Sequence, residues 1–133
     1  MKTSILIVDD HEKYRNVLKE LINREADMEV IGEAKNGKRA VELASELQPD
    51  IILMDIKMPV MDGIEATRQI LAKKNGIKIL ALSIYPDESF KSDMLRSGAL
   101  GYILKGCDFE ELSGAIRKLI CPVPIQSRLC LFR

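Results

Sequence analysis

Short, continuously apolar runs alternate with amphipathic segments five times along this chain. The apolar runs fall at residues 4–8, 28–32, 51–54, 77–82 and 101–104. Ile5-Leu6-Ile7-Val8 and Ile51-Ile52-Leu53-Met54 carry no polar residue at all. A strand without a polar face is covered on both sides, which is the environment of a parallel sheet. The intervening segments repeat at helical spacing. Ala40, Leu43, Ala44 and Leu47 form one stripe, and Phe109, Leu112, Ile116 and Leu119 another. Val17, Leu18, Leu21 and Ile22 predict a first helix, and Ile64, Thr67, Ile70 and Leu71 a third. The fourth helix, roughly residues 88–97, is marked only by Phe90 and Met94. Asp108 followed by Glu111 resembles a capping box, and Gly63, Gly76 and Gly98 stand at element ends.

Five such units predict an α/β fold: a doubly wound, five-stranded parallel sheet with right-handed crossovers and helices on both faces. Residues 1–120 make one domain. Residues 121–133 break the pattern, because Pro122 and Pro124 preclude continuation of the last helix. They are expected to form an extended tail of unknown role, with no output domain after it.

Charge and composition narrow the function classes. Twenty basic residues balance twenty acidic ones, and no Lys/Arg run occurs. A sequence-independent grip on nucleic acid by this domain is therefore not expected, since it needs a strong positive field. The apolar run before Asp9 is too short for a signal peptide, and no stretch could span a bilayer. Cys107, Cys121 and Cys130 are odd in number and lack metal-ligand spacing, which suits reduced thiols in the cytoplasm.

The polar residues at the strand ends change the picture most. Asp9 and Asp10 follow the first strand, Asp55 ends the third, Ser83 the fourth and Lys105 the fifth. In a parallel sheet all of these reach the same carboxyl edge, where open α/β folds bind ligands. Clustered carboxylates repel, and Mg²⁺ is the hard cation that would resolve the repulsion through oxygen ligands. With Mg²⁺ bound, a carboxylate can act as nucleophile toward phosphorus, with Lys105 and the Ser83 hydroxyl binding phosphoryl oxygens. Taken singly, each residue has a plainer reading: Asp10 as a helix N-cap, Ser83 as a strand-end hydroxyl, Lys105 as a solvated lysine.

Together, Ile5-Leu6-Ile7-Val8-Asp9-Asp10, the segment from Pro49 through Asp55 and Met58-Pro59 to Asp62-Gly63, Ser83, and Gly101-Tyr102-Ile103-Leu104-Lys105 resemble the receiver domain of bacterial two-component response regulators. The resemblance covers roughly residues 3–120 and is closest to the branch with helix-turn-helix outputs. It implies a flavodoxin-like strand order 2-1-3-4-5. It also implies Asp55 as phosphoacceptor, Mg²⁺ held by Asp9, Asp10, Asp55 and the main-chain carbonyl of Lys57, and Ser83 and Tyr102 as the switch pair. A histidine kinase would be the phosphodonor, with acetyl phosphate as a small alternative. A homodimer or partner protein would use helix 4, strand 5 and helix 5. The chain is expected to be a switch, not an enzyme.

Two residues depart from the family pattern. Ile84 stands where a small residue usually follows the Ser/Thr, and Gly106 where proline often follows the lysine. Ile84 is the support for a degenerate receiver that binds partners without phosphate. A phosphatase of the aspartyl-phosphate type would carry a second Asp at position 57, which is Lys57. An FMN-binding module would want a hydroxyl- and glycine-rich loop where Asp9-Asp10 stand. His11, the one histidine, is expected as an exposed first-turn residue.

Overall fold

The computed structural model describes residues 2–84 and 86–121. Five βα units follow one another: β1 (Thr3–Val8), α1 (Glu12–Asn23), β2 (Met28–Ala34), α2 (Gly37–Leu47), β3 (Ile51–Asp55), α3 (Gly63–Leu71), β4 (Lys78–Ser83), α4 (Glu88–Arg96), β5 (Gly101–Leu104) and α5 (Phe109–Ile120). The strands pair in parallel in the order β2-β1-β3-β4-β5. The parallel α/β sheet expected from the apolar runs and the strand order that the resemblance implies are both found. The expected tail lies, beyond Cys121, outside the described residues, as does Cys130.

The central strands show why they are apolar on every residue. Along β1, Ile5 and Ile7 pack with Leu18 and Ile22 of α1 and with Leu112 and Ile116 of α5. The alternate residues Leu6 and Val8 face the other way, onto Ala40 and Ala44 of α2, Ala66 and Ile70 of α3, and Met94 of α4. Two cores therefore flank one sheet, and Ile51 to Met54 of β3 serve both without a solvent-facing position.

Polar caps set the helix starts. Asn36, Asp62, Asp87 and Asp108 each accept a main-chain N–H from the first turn of α2, α3, α4 and α5, respectively. The predicted Asp108–Glu111 pair appears as a 2.8 Å bond from the Glu111 N–H to Asp108 Oδ1. For α1 the reading of Asp10 as a cap is overturned: His11 occupies the cap position, with no side-chain cap bond. Two stripe residues are also corrected. Leu47 sits at the exposed end of α2, and Val17 is 58% exposed. Val17 lines a groove with Tyr14, Leu104 and Phe109, because the face of α1 beside α5 opens toward solvent there.

The connection from β3 to α3 is folded tightly under the carboxyl edge. The Gly63 N–H donates to the Ile56 carbonyl at 2.7 Å, and a Cβ on Gly63 would lie 2.0 Å from the main-chain oxygen of Asp55. The Gly37 N–H donates to the Met61 carbonyl at 2.9 Å from the other side. Between these anchors Val60 is held at φ +73°, a left-handed conformation that a β-branched residue adopts only under strain, and it is 77% exposed.

Two substitutions test this loop. Gly63→Ala is expected to destabilise the domain by about 3 kcal/mol, because the clash is with backbone that cannot yield. Val60→Gly is expected to stabilise it by about 1 kcal/mol, since relief of strain exceeds the added chain entropy. Urea unfolding of both variants checks the two signs; a destabilised Val60→Gly would show that the loop is unstrained.

Candidate functional site

The parallel sheet delivers the polar residues to one edge. Asp55 is the last residue of β3, paired in register with Leu82 one residue short of Ser83. The Lys105 N–H donates to the Ser83 carbonyl at 2.8 Å, which sets the lysine beside β4 just past the end of β5. The Asp9 main chain is fixed from both sides: its N–H donates to the Ala34 carbonyl at 3.0 Å, and the Arg15 guanidinium donates to its carbonyl at 2.6 Å.

These anchors bring Asp9, Asp55, Ser83 and Lys105 together in a buried cluster. Asp9, Asp55 and Ser83 are only 1%, 6% and 2% exposed, and the Lys105 side chain 8%. The Lys105 ammonium lies 2.5 Å from Asp9 Oδ2, in ion contact without hydrogen-bond alignment, and 3.3 Å from Asp55 Oδ1. It also sits 4.9 Å above the Tyr14 ring. Asp55 Oδ1 accepts the Ile56 N–H at 2.9 Å, so the carboxyl plane is fixed.

Two buried carboxylates thus share one ammonium. Burial pushes the Asp55 carboxyl up to about 6, and the neighbouring Asp9 charge adds to the rise; Lys105 opposes both. The same burial, with Asp9 nearby, drives the Tyr14 phenol up to about 12, so it stays neutral.

Asp10 is exposed at the rim of this cluster. Ligand atoms of Asp9, Asp10, His11 and Asp55 all lie within 4.8 Å of one another, a donor set that can hold a metal ion. His11 is exposed as expected, yet its ring is not idle: Nδ1 lies 3.2 Å from both Asp9 Oδ1 and Asp10 Oδ1. The sequence reading placed it outside the pocket. Its position directly after Asp9-Asp10 was the signal available.

His11, Asp55, Lys57, Ser83, Ile84 and Lys105 line a cleft of about 90 Å³. That is room for a phosphoryl group. Ile84 is 59% exposed and stands at the mouth of the cleft, not inside it. Lys57 is exposed, with its ammonium 5.0 Å over the ring of Phe90, the third residue of α4. Tyr102 is partly buried against the core beneath α4, one position past the β5 residue that pairs with Leu80. The sheet thus brings Asp9, Asp10, Asp55, Ser83 and Lys105 together, with Lys57 at the rim.

The same fold is found in known proteins. Residues 5–117 match the response regulator receiver domain family. The chain is 41% identical over 116 residues to the transcriptional regulatory protein DegU of Brevibacillus brevis, covering 87% of this chain and 49% of that one. It spans about half the length of curated relatives such as this one. The response regulator domain of Thermotoga maritima CheB superposes with a TM-score of 0.83 at 36% identity, over 93% of this chain and all of that one. A crystal structure of a CheX-CheY-BeF3-Mg²⁺ complex from Borrelia burgdorferi superposes at 0.82 with 27% identity, over 89% of each chain. No described helix is long and apolar enough to cross a membrane. With this fold and this match over most of its length, the chain belongs to the response regulator receiver domain family, the phosphorelay module of two-component signalling.

Proposed function

We propose that Asp55 is the phosphoacceptor of this receiver and that Mg²⁺ is its cofactor. The observation that carries the reading is a buried carboxylate at the end of β3, with an acidic ligand set on one side and a buried ammonium on the other. Asp10 and Asp55 would hold the ion with the Lys57 main-chain carbonyl, and Asp9, already engaged with Lys105, through water. When bound, Mg²⁺ neutralises the carboxylates and the charge developing on the transferred phosphoryl group. Asp55 supplies the attacking oxygen, Lys105 holds a phosphoryl oxygen by charge, and the Ser83 hydroxyl donates to another.

The donor class follows from the space. The cleft is small and opens to solvent, so a donor can present its phosphoryl group from outside. A phosphohistidine presented by a histidine kinase meets that demand, and so does acetyl phosphate. The receiver acts as a switch: once Ser83 engages the phosphoryl oxygens, the β4–α4 connection and Tyr102 rearrange. Leu95, Leu100 and Leu104, exposed on α4 and around β5, offer the face for a second copy or a partner protein. Location in the cytoplasm is part of the same reading. The beryllofluoride and Mg²⁺ recorded in the name of the Borrelia burgdorferi complex support the chemistry by analogy.

The primary test is intact mass after incubation with Mg²⁺ and acetyl phosphate. One phosphoryl adduct is expected, absent from Asp55→Asn and absent when the metal is chelated. An adduct that survives in Asp55→Asn would refute the assignment.

A second expectation concerns stability without metal. The Asp55 pKa is raised on folding, so the native state binds this proton more tightly than the unfolded chain. Its favourable contribution is present below about pH 4 and is lost as pH rises through about 6. A shift of about two units corresponds to roughly 3 kcal/mol. Asp55→Asn is therefore expected to stabilise the metal-free domain at pH 7.5 by roughly 1–3 kcal/mol. The gain should shrink below pH 5 and reverse when millimolar Mg²⁺ stabilises only the wild type. Urea titrations at two pH values, with and without Mg²⁺, check each sign.

A further inference from the structure

We propose that His11 supplies a nitrogen ligand to the acidic pocket and makes it a site for borderline divalent cations such as Mn²⁺ and Ni²⁺, as well as for Mg²⁺. The inference rests on the acidic pocket being the metal site, as set out above, and adds a ligand and a selectivity to it.

The geometry carries it. His11 Nδ1 is 3.2 Å from Asp9 Oδ1 and 3.2 Å from Asp10 Oδ1. Adjacent ligands around a metal with bonds of about 2.1 Å stand about 3.0 Å apart in an octahedron, and about 3.4 Å in a tetrahedron. The imidazole nitrogen and the Asp10 oxygen already have ligand spacing, and oxygens of Asp9 and Asp55 lie within the same 4.8 Å cluster.

Without a metal, the Nδ1–H donates to Asp9 Oδ1 at 3.2 Å, with Asp10 Oδ1 at the same distance, so a cation bound between these three atoms takes the place of that proton. The ring does not cap the helix. His11 stands at the N-cap of α1 with no side-chain cap bond, while its main-chain N–H donates to Asp9 Oδ1 at 2.8 Å. Backbone and ring are thereby both pinned to the cluster. The outward ring edge faces water, the side chain being 66% exposed, so when a cation binds the proton can move to Nε2 and the Nδ1 lone pair can turn to the metal.

Chemistry sets the selectivity. Mg²⁺ prefers an all-oxygen shell and gains little from imidazole, whereas imidazole strengthens Mn²⁺ modestly and Ni²⁺ strongly, in the Irving–Williams order. Occupancy of the pocket then depends on which divalent cations the cell supplies.

The test exploits the composition: His11 is the one histidine in the chain, so any imidazole signal from untagged protein is its own. The full chain, His11→Ala and His11→Asn are titrated calorimetrically with Mg²⁺, Mn²⁺ and Ni²⁺. Pulsed electron paramagnetic resonance of the Mn²⁺ complex is recorded in parallel. Expected are a nitrogen coupling in the wild type that both variants lose, a loss of Ni²⁺ affinity of about tenfold or more, and losses that shrink through Mn²⁺ to Mg²⁺. Circular dichroism spectra that overlay the wild type show that the variants are folded. A Mn²⁺ spectrum without nitrogen coupling, or equal losses for all three cations, would overturn the proposal while leaving the Mg²⁺ site standing. Failure of the wild type to bind Mg²⁺ would instead overturn the pocket as a metal site, and this inference with it.

Discussion

Everything at the carboxyl edge depends on an uneven sharing of charge. Asp9 and Asp55 are both buried, and one ammonium, Lys105, stands between them. Burial first, and the uncompensated charge of Asp9 second, push the Asp55 carboxyl toward its neutral form. The rest of the fold exists to hold that mismatch in place. Unbroken apolar strands fix the depth of the edge, and the Lys105–Ser83 main-chain bond fixes the lysine. An arriving cation or phosphoryl group changes the local charge, so a small chemical event there has a large local effect.

Most of this architecture was legible from the chain. Ile51 to Met54 could only be a doubly covered strand, and its successor Asp55 could only fall at the carboxyl edge. Parallel topology did the rest, since it carries Asp9, Ser83 and Lys105 to the same side regardless of sequence distance. What stayed hidden was decided by fine packing. Val17 fits the apolar stripe of α1, yet whether that face is covered depends on how far α5 reaches along it. His11 reads as a solvent residue, and it is one by exposure; that its ring turns back over Asp9 and Asp10 is a choice of rotamer with no trace in spacing. Asp10 resembles a cap by residue type, but α1 starts one residue later, because the His11 N–H is drawn to Asp9.

The loop after Asp55 shows a stiff element placed beside a reactive one. Gly63 lets backbone touch backbone, Gly37 clamps the far side, and Val60 is left strained at the crest. Such strain persists only where the surroundings leave no alternative. It argues that the main-chain carbonyl of Lys57 and the Asp55 carboxyl are preorganised, not assembled on demand. On the proposed reading, the motion of the switch then falls to the opposite wall, where Ser83 ends β4.

The smallness of the cleft reaches beyond the molecule. If the cleft receives only a phosphoryl group, as proposed, it reads little of the carrier that brings it. Discrimination between messages is thereby displaced onto the outer skin of the domain, where residues vary without disturbing the reaction. Copies of one chemical centre can then run side by side as separate wires, insulated from crosstalk by shape alone.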